Sequence, residues 1–146
     1  MSQEIFFIIH GKPIAKKRPR FVRRGNFVGT YNDQETEEGK WMQQAMTCAM
    51  KHPLYEDLPL SCPVTITLSF QFPVPSNWPK YKIRALQDKQ QTFYHTKKPD
   101  LDNCIKFVLD CLNRWMWLDD KQVVLIQAFK IYAIEPKTSV LIRIKE

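Results

Sequence analysis

Two pairs of aspartates carry the chemistry that this chain is equipped to do. Asp100 and Asp102 stand one residue apart in PDLDNCIKFVLDCLN (99–113), where a helical pattern begins, and Asp119 and Asp120 stand together in WLDD just beyond its far end. Phosphodiester hydrolysis in water is very slow, and metal-dependent enzymes that accelerate it gather several oxygen ligands around one or two divalent cations. A D-x-D pair at an element boundary, with a third aspartate brought from elsewhere, is a compact source of such ligands. Lys106 follows Asp102 by four residues, one helical turn away, and suits a phosphate oxygen or the charge that develops on it. It would equally offset repulsion among the carboxylates.

Each residue also has a purely structural reading. Asp100 after Pro99 suits a helix N-cap, and Asp102 with Lys106 suits a surface ion pair worth about 0.3–0.5 kcal/mol. Asp119-Asp120 suits a turn, and Asp110 a partly buried structural acid. The combination is less ordinary. Gathering carboxylates is costly without counter-charge, and doing so in a chain of net charge +7 points to a cation between protein and phosphate. A helix of about 15 residues spans roughly 22 Å, so its two ends cannot share one ion directly. Convergence of Asp120 with Asp100 and Asp102 requires a folded turn, a short helix or a second subunit.

The excess of positive charge is concentrated. No acidic residue falls between Glu4 and Asp33, whereas Lys12, Lys16, Lys17, Arg18, Arg20, Arg23 and Arg24 do, interleaved with Phe21 and Phe27. Lys97 and Lys98 lie immediately before the first aspartates. These residues are candidate contacts for DNA phosphates, although a basic arm that is merely solvated has the same composition. A membrane surface fits less well, because the basic residues fall in Pro/Gly-rich stretches and not along one amphipathic helix.

The elements that must position these groups are readable from periodicity. EIFFIIH (4–10) predicts a strand, followed by a basic loop over 11–30. Trp41, Met42, Ala45, Met46, Ala49 and Met50 recur at helical spacing between residues 33 and 52, with Pro53 as the stop. CPVTITLSFQF (62–72) alternates strictly and predicts a half-buried strand. Residues 73–98 predict a long loop with one short helix near 80–88, and its Trp78, Tyr81 and Phe93 suit either base stacking or packing at a dimer contact. The helix that opens at Asp100 presents Leu101, Cys104, Ile105, Val108, Leu112 and Trp115 on one face. QVVLIQAFKIYAI (122–134) and TSVLIRIK (138–145), separated by Glu135-Pro136-Lys137, predict two strands joined as a hairpin. At 146 residues and 44% hydrophobic, the chain predicts a single α+β domain, a mixed sheet with two main helices on one face.

Some function classes are disfavoured. Cys48, Cys62, Cys104 and Cys111 form no CxxC pair and lie far in sequence from His10, His52 and His95, so a zinc site of ordinary spacing is not expected and reduced, packed thiols are. No apolar run is long enough to span a bilayer or to form a signal-peptide core, which predicts an intracellular, cytoplasmic protein.

KPDLDNCIKFVLDCLN followed by WLDDKQVV resembles the signature of the RusA-type Holliday junction resolvases, small endonucleases often encoded by prophages in bacteria, and GKPIAKKRPRF resembles their basic N-terminal stretch. The resemblance covers roughly residues 8–30 and 97–130. It implies a Mg²⁺-dependent homodimeric endodeoxyribonuclease, with Mn²⁺ able to substitute, that nicks opposing strands of branched DNA at four-way junctions in recombination and repair. Carried over residue by residue, it implies essential acids at Asp100, Asp102 and Asp120, an essential lysine at Lys106, and a less firmly assigned metal role for Asp119. The turn NRWMW departs from the smaller, often glycine-containing connection expected there. Two alternatives stay open: a binding module for junctions or other nucleic acid that does not cut, and a nuclease for flaps or single strands.

Overall fold

A computed structural model describes residues 3–17, 20–24, 27–31 and 34–145, the two short strands among them as backbone only. The chain runs β1 (Glu4–His10), β2 (Arg20–Arg24), β3 (Phe27–Tyr31), α1 (Glu35–Ala49), β4 (Val64–Pro73), α2 (Lys80–Gln87), α3 (Leu101–Leu112), β5 (Val123–Ala133) and β6 (Lys137–Ile144), with 3₁₀ turns at Pro53–Asp57 and Asp120–Gln122. The strictest alternation in the sequence becomes the middle of the sheet: Val64, Ile66, Leu68, Phe70 and Phe72 are buried, and Thr65, Thr67, Ser69 and Gln71 between them face the other way, partly exposed.

β4 accepts a partner on each side, β6 antiparallel and β5 parallel, and β1 pairs with the outer edge of β6, giving the order β1-β6-β4-β5. The register stacks apolar rows across the strands: Ile5 opposes Ile142, which opposes Ile66, and Phe7 opposes Val140, which opposes Leu68. Each such aliphatic side chain contributes about 1.5–3 kcal/mol by leaving water. α1 and α3 cover this face. Trp41 of α1 joins the layers edge-on, its ring 6.1 Å from Phe7 and 6.0 Å from Phe107 of α3, a geometry that suits the ring quadrupoles.

Four expectations are corrected. β5 and β6 are not a hairpin, because β4 lies between them and residues 134–136 step across its end. The apolar alternation of β4 makes it the strand that is most stabilised by a neighbour on both edges, and local spacing at Glu135-Pro136 carries no information about that. The basic segment is not wholly a loop, since β2 and β3 pair antiparallel from Arg20↔Tyr31 to Arg24↔Phe27. α3 buries Phe107 and Cys111 with Cys104, Val108 and Leu112, while Leu101 and Ile105 are only partly buried. Met50 of the methionine-rich stretch is exposed, and Trp41, Ala45 and Ala49 form the buried stripe of α1. All four cysteines are unbridged. Burial pushes the Cys104 thiol up to about 11 and the Cys111 thiol up to about 12, so both pack as protonated apolar groups.

Candidate active site

Asp100 occupies the N-cap position of α3 with extended backbone (φ −68°, ψ 146°), yet its side chain makes no capping hydrogen bond. Asp102 and Lys106 are exposed, as is Asp100, and among the described residues none of the three takes part in an ion pair. The local structural readings of Asp100 and of the Asp102–Lys106 pair are therefore not realised. What stands at the head of α3 is a pair of carboxylates with their oxygens turned over to solvent, the hard donors that Mg²⁺ and Mn²⁺ take.

Beside them opens a cleft of about 830 Å³, lined among others by Lys12, Lys16, Lys17, Lys98, Asp100 and Asn103. Backbone ties fix its floor. Lys16 N donates to Asn103 O at 2.9 Å. The fully buried Gln34 accepts from Lys17 N at 2.8 Å and donates to Ala15 O at 2.6 Å. This glutamine holds the basic strip against the start of α1, and a lone Gln before a helix gives no sequence signal for such a role.

The basic residues differ in what remains free. The Lys16 ammonium lies 2.6 Å from Glu38 and 3.0 Å from Asp110. Partial burial alone would depress its pKa, but hydrogen bonds to the two carboxylates and their charges outweigh that and hold it above the ordinary lysine value. Lys16 thus ties the basic strip to α1 and α3, and Asp110 has the structural role expected of it. Lys17 makes a loose, exposed pair with Glu37 at 3.6 Å, while Lys12, Lys97 and Lys98 are exposed. Arg18 lies outside the described residues, and Arg20, Arg23 and Arg24 lie on β2, known as backbone.

The second acidic pair sits at the other end of α3. Trp117 is fully buried and donates its indole N–H to Asp120 Oδ1 at 2.8 Å. Asp119 caps the 3₁₀ turn: its Oδ1 accepts from Lys121 N at 2.9 Å, and its own N–H donates to Gln122 Oε1 at 2.9 Å. Gln122 in turn donates to Leu60 O and Cys62 O at 2.8 and 3.0 Å. Burial holds the Asp120 carboxyl above the usual carboxylate range, against the indole hydrogen bond, and the charges of Asp110 and Asp119 push the same way. Asp120 therefore keeps company with Asp110. Asp110 follows Asp102 by eight residues, about 12 Å of helix, and among the described residues no three His, Cys, Asp or Glu side chains form a metal cluster within one chain.

The family model for the endodeoxyribonuclease RusA matches residues 10–143. The chain belongs to the RusA endodeoxyribonuclease family. It is also similar to the uncharacterized protein YqaN of Bacillus subtilis (strain 168), at 30% identity over 139 residues that make up 95% of each chain. Membership in the RusA family carries an endonucleolytic activity on DNA, and no helix among the described residues is long and apolar enough to cross a membrane.

Within this RusA family member the tryptophans of the NRWMW turn have a structural purpose. Arg114 adopts positive φ (78°), its N–H donates to Trp117 O at 2.8 Å, and the turn so formed drives the Trp117 ring into the core with its N–H aimed at Asp120. A buried indole fixes the carboxylate more firmly than a glycine turn would. Trp117→Phe removes the hydrogen bond and part of a fully buried ring, so it is expected to lower the thermal midpoint and, with Asp120 in the metal-binding role proposed below, to lower the nicking rate about ten-fold. Single-turnover rates taken well below that midpoint would check this. The loop aromatics divide in two: Trp78 packs on Phe93 and Tyr132 at 5.2 and 4.8 Å with Lys82 over its ring at 4.2 Å, whereas Tyr81 and Tyr94 are exposed.

Proposed function

We propose that the protein is a divalent-metal-dependent, structure-specific endonuclease that resolves four-way DNA junctions by paired nicks, serving recombination and repair. The observation that carries this reading is the pair of exposed, unpartnered carboxylates, Asp100 and Asp102, at the head of α3, where Asp100 lines a basic cleft. Lys12, Lys17, Lys97 and Lys98 would lay a DNA phosphate backbone along that cleft, and Lys106 would meet the charge that builds on the attacked phosphate. A bound Mg²⁺ or Mn²⁺ neutralises phosphate charge and lowers the pKa of a water that serves as nucleophile.

Two carboxylates are a sparse ligand set, and a homodimer supplies the third. β5 is an edge strand. Residues 93–95 run antiparallel along its C-terminal half, through Tyr94↔Ile131, His95 N to Lys130 O and Tyr132 N to Phe93 O, and its first half presents Val124, Leu125, Ile126 and Phe129 exposed. Antiparallel pairing of this half with itself is two-fold by construction. Because β5 begins beside Asp120 and ends against residues 93–95, which lead to Asp100, self-pairing of its free first half near Ile126 would carry Asp120 of one copy towards the 93–100 segment of the other. The partner subunit's Asp120 then approaches Asp100 and Asp102, and two equivalent sites face the two equivalent strands of a junction.

The test is nicking of a synthetic four-way junction against linear duplex of the same sequence, with Mg²⁺ or with EDTA. Symmetric paired nicks in the junction alone, and only with metal, are expected. Binding without cutting in both conditions would replace this reading with that of a binding module, and preferential cutting of flaps or single strands would assign a different substrate.

A further inference from the structure

β5 carries a charge on the wrong face. Lys130 lies opposite Phe70, one of the fully buried residues of β4, and a lysine on the core side of a strand is uncommon unless its ammonium has partners. The partners are specific. The lysine stem passes the ring of Phe72, with Nζ 5.9 Å from its centroid, and Nζ donates to Lys97 O at 2.7 Å and to Pro99 O. These two carbonyls flank Lys98 and immediately precede Asp100. The root of the side chain is equally fixed, since Lys130 O accepts from His95 N at 3.0 Å and the His95 ring stacks on Phe72 at 4.0 Å.

Resting on the functional reading above, we propose that Lys130 is the positioning residue of the acidic pair, clamping the 97–99 backbone so that Asp100 and Asp102 leave it in fixed directions. Two properties of lysine suit the task. Its three N–H donors can bind two carbonyls at once, and its long stem carries them to the loop. Its charge is also opposite to that of the two aspartates, and its ammonium is held against the backbone that leads into them. A fixed cation behind the loop thus eases the repulsion between two carboxylates held close together, while their outward oxygens stay open.

The experiment compares Lys130→Met, which keeps the stem and loses donors and charge, with Lys130→Arg, which keeps both, against wild type. In Lys130→Met the Mn²⁺ concentration for half-maximal nicking is expected to rise ten-fold or more, the scale seen when a partner that orients metal ligands is lost, with junction affinity in EDTA changed less than about two-fold. Lys130→Arg should recover most of the metal affinity. Independently of any metal, the backbone ¹⁵N order parameters of Lys98, Asp100 and Asp102 should fall in Lys130→Met from the rigid value of about 0.85 towards 0.6. An unchanged metal dependence overturns the proposal, and so does a loss that follows junction affinity, which would make Lys130 a phosphate contact. If the wild type shows no metal-dependent nicking, the functional reading fails on its own. The order parameters then still decide the clamp, and unchanged values sink it.

Discussion

Asp102→Asn is expected to lower junction nicking by a factor of about 10³, the scale on which removing one preorganised electrostatic group from a reacting site is felt, while junction binding in EDTA stays equal or becomes slightly tighter. The two halves of this outcome have different causes. Asparagine keeps the size of the side chain but gives up the charge and one anionic oxygen, so a hard cation loses a ligand that a neutral amide replaces poorly. Binding does not suffer, because Asp102 is exposed beside a basic cleft and its negative charge opposes DNA. Stability is expected to move by less than about 0.5 kcal/mol, since Asp102 caps nothing and pairs with nothing among the described residues. Single-turnover cleavage of an end-labelled junction and electrophoretic binding, run on the same preparations, measure both halves. A mutant that cuts at a few tenths of the wild-type rate would return Asp102 to the status of a first-turn acid that merely suits the helix dipole.

Much of this arrangement was legible before any coordinates, and the reasons are physical. β4 and α3 announce themselves because burial on one face imposes period 2 on Val64–Phe72 and nearly period 3.6 on Cys104–Leu112. The expectation that the two ends of α3 cannot share one ion directly rests on rise per residue, which fixes the length of a helix whatever surrounds it. The β2–β3 hairpin was readable in part: two short runs rich in aromatic and β-branched residues flank Gly25-Asn26, a turn dipeptide, but the density of arginine and lysine masked it. Pairing partners are another matter. That β5 and β6 both choose β4 is decided by which strand has most to gain from two neighbours, a competition across the whole sheet.

The residues that sequence reasoning missed share one feature. Gln34, Trp117 and Lys130 act through directed side-chain hydrogen bonds to a few specific groups: Lys17 N and Ala15 O for Gln34, Asp120 three residues on for Trp117, Lys97 O and Pro99 O for Lys130. Periodicity reports which face is buried and says nothing about where one N–H on that face points. Trp117 was visible only as a misfit, an indole where a small turn residue was expected. Lys130 was a charge within an apolar strand, and that departure from pattern is the one signal that would have found it.

The separation of Asp120 from Asp100 and Asp102 within one chain makes a mixed dimer the sharpest test of how the site is completed. Asp102→Asn and Asp120→Asn subunits are each expected to be inactive alone, and an equal mixture, after subunit exchange, is expected to recover about a quarter of wild-type nicking. The figure follows from two-fold geometry. Random exchange makes half of the dimers mixed; in each of these one site inherits both substitutions and the other inherits neither, so one site of two is whole. The recovered activity also has a form of its own, in that junctions receive a nick in one strand per binding event and not in two, which a supercoiled cruciform plasmid separates as nicked circles in place of linear product. If Asp120 instead served its own subunit, every site in the mixture would carry one substitution and the mixture would stay dead. In the proposed dimer, the Trp117 N–H would fix one oxygen of Asp120 from within its own chain and leave the other for a cation held by the partner.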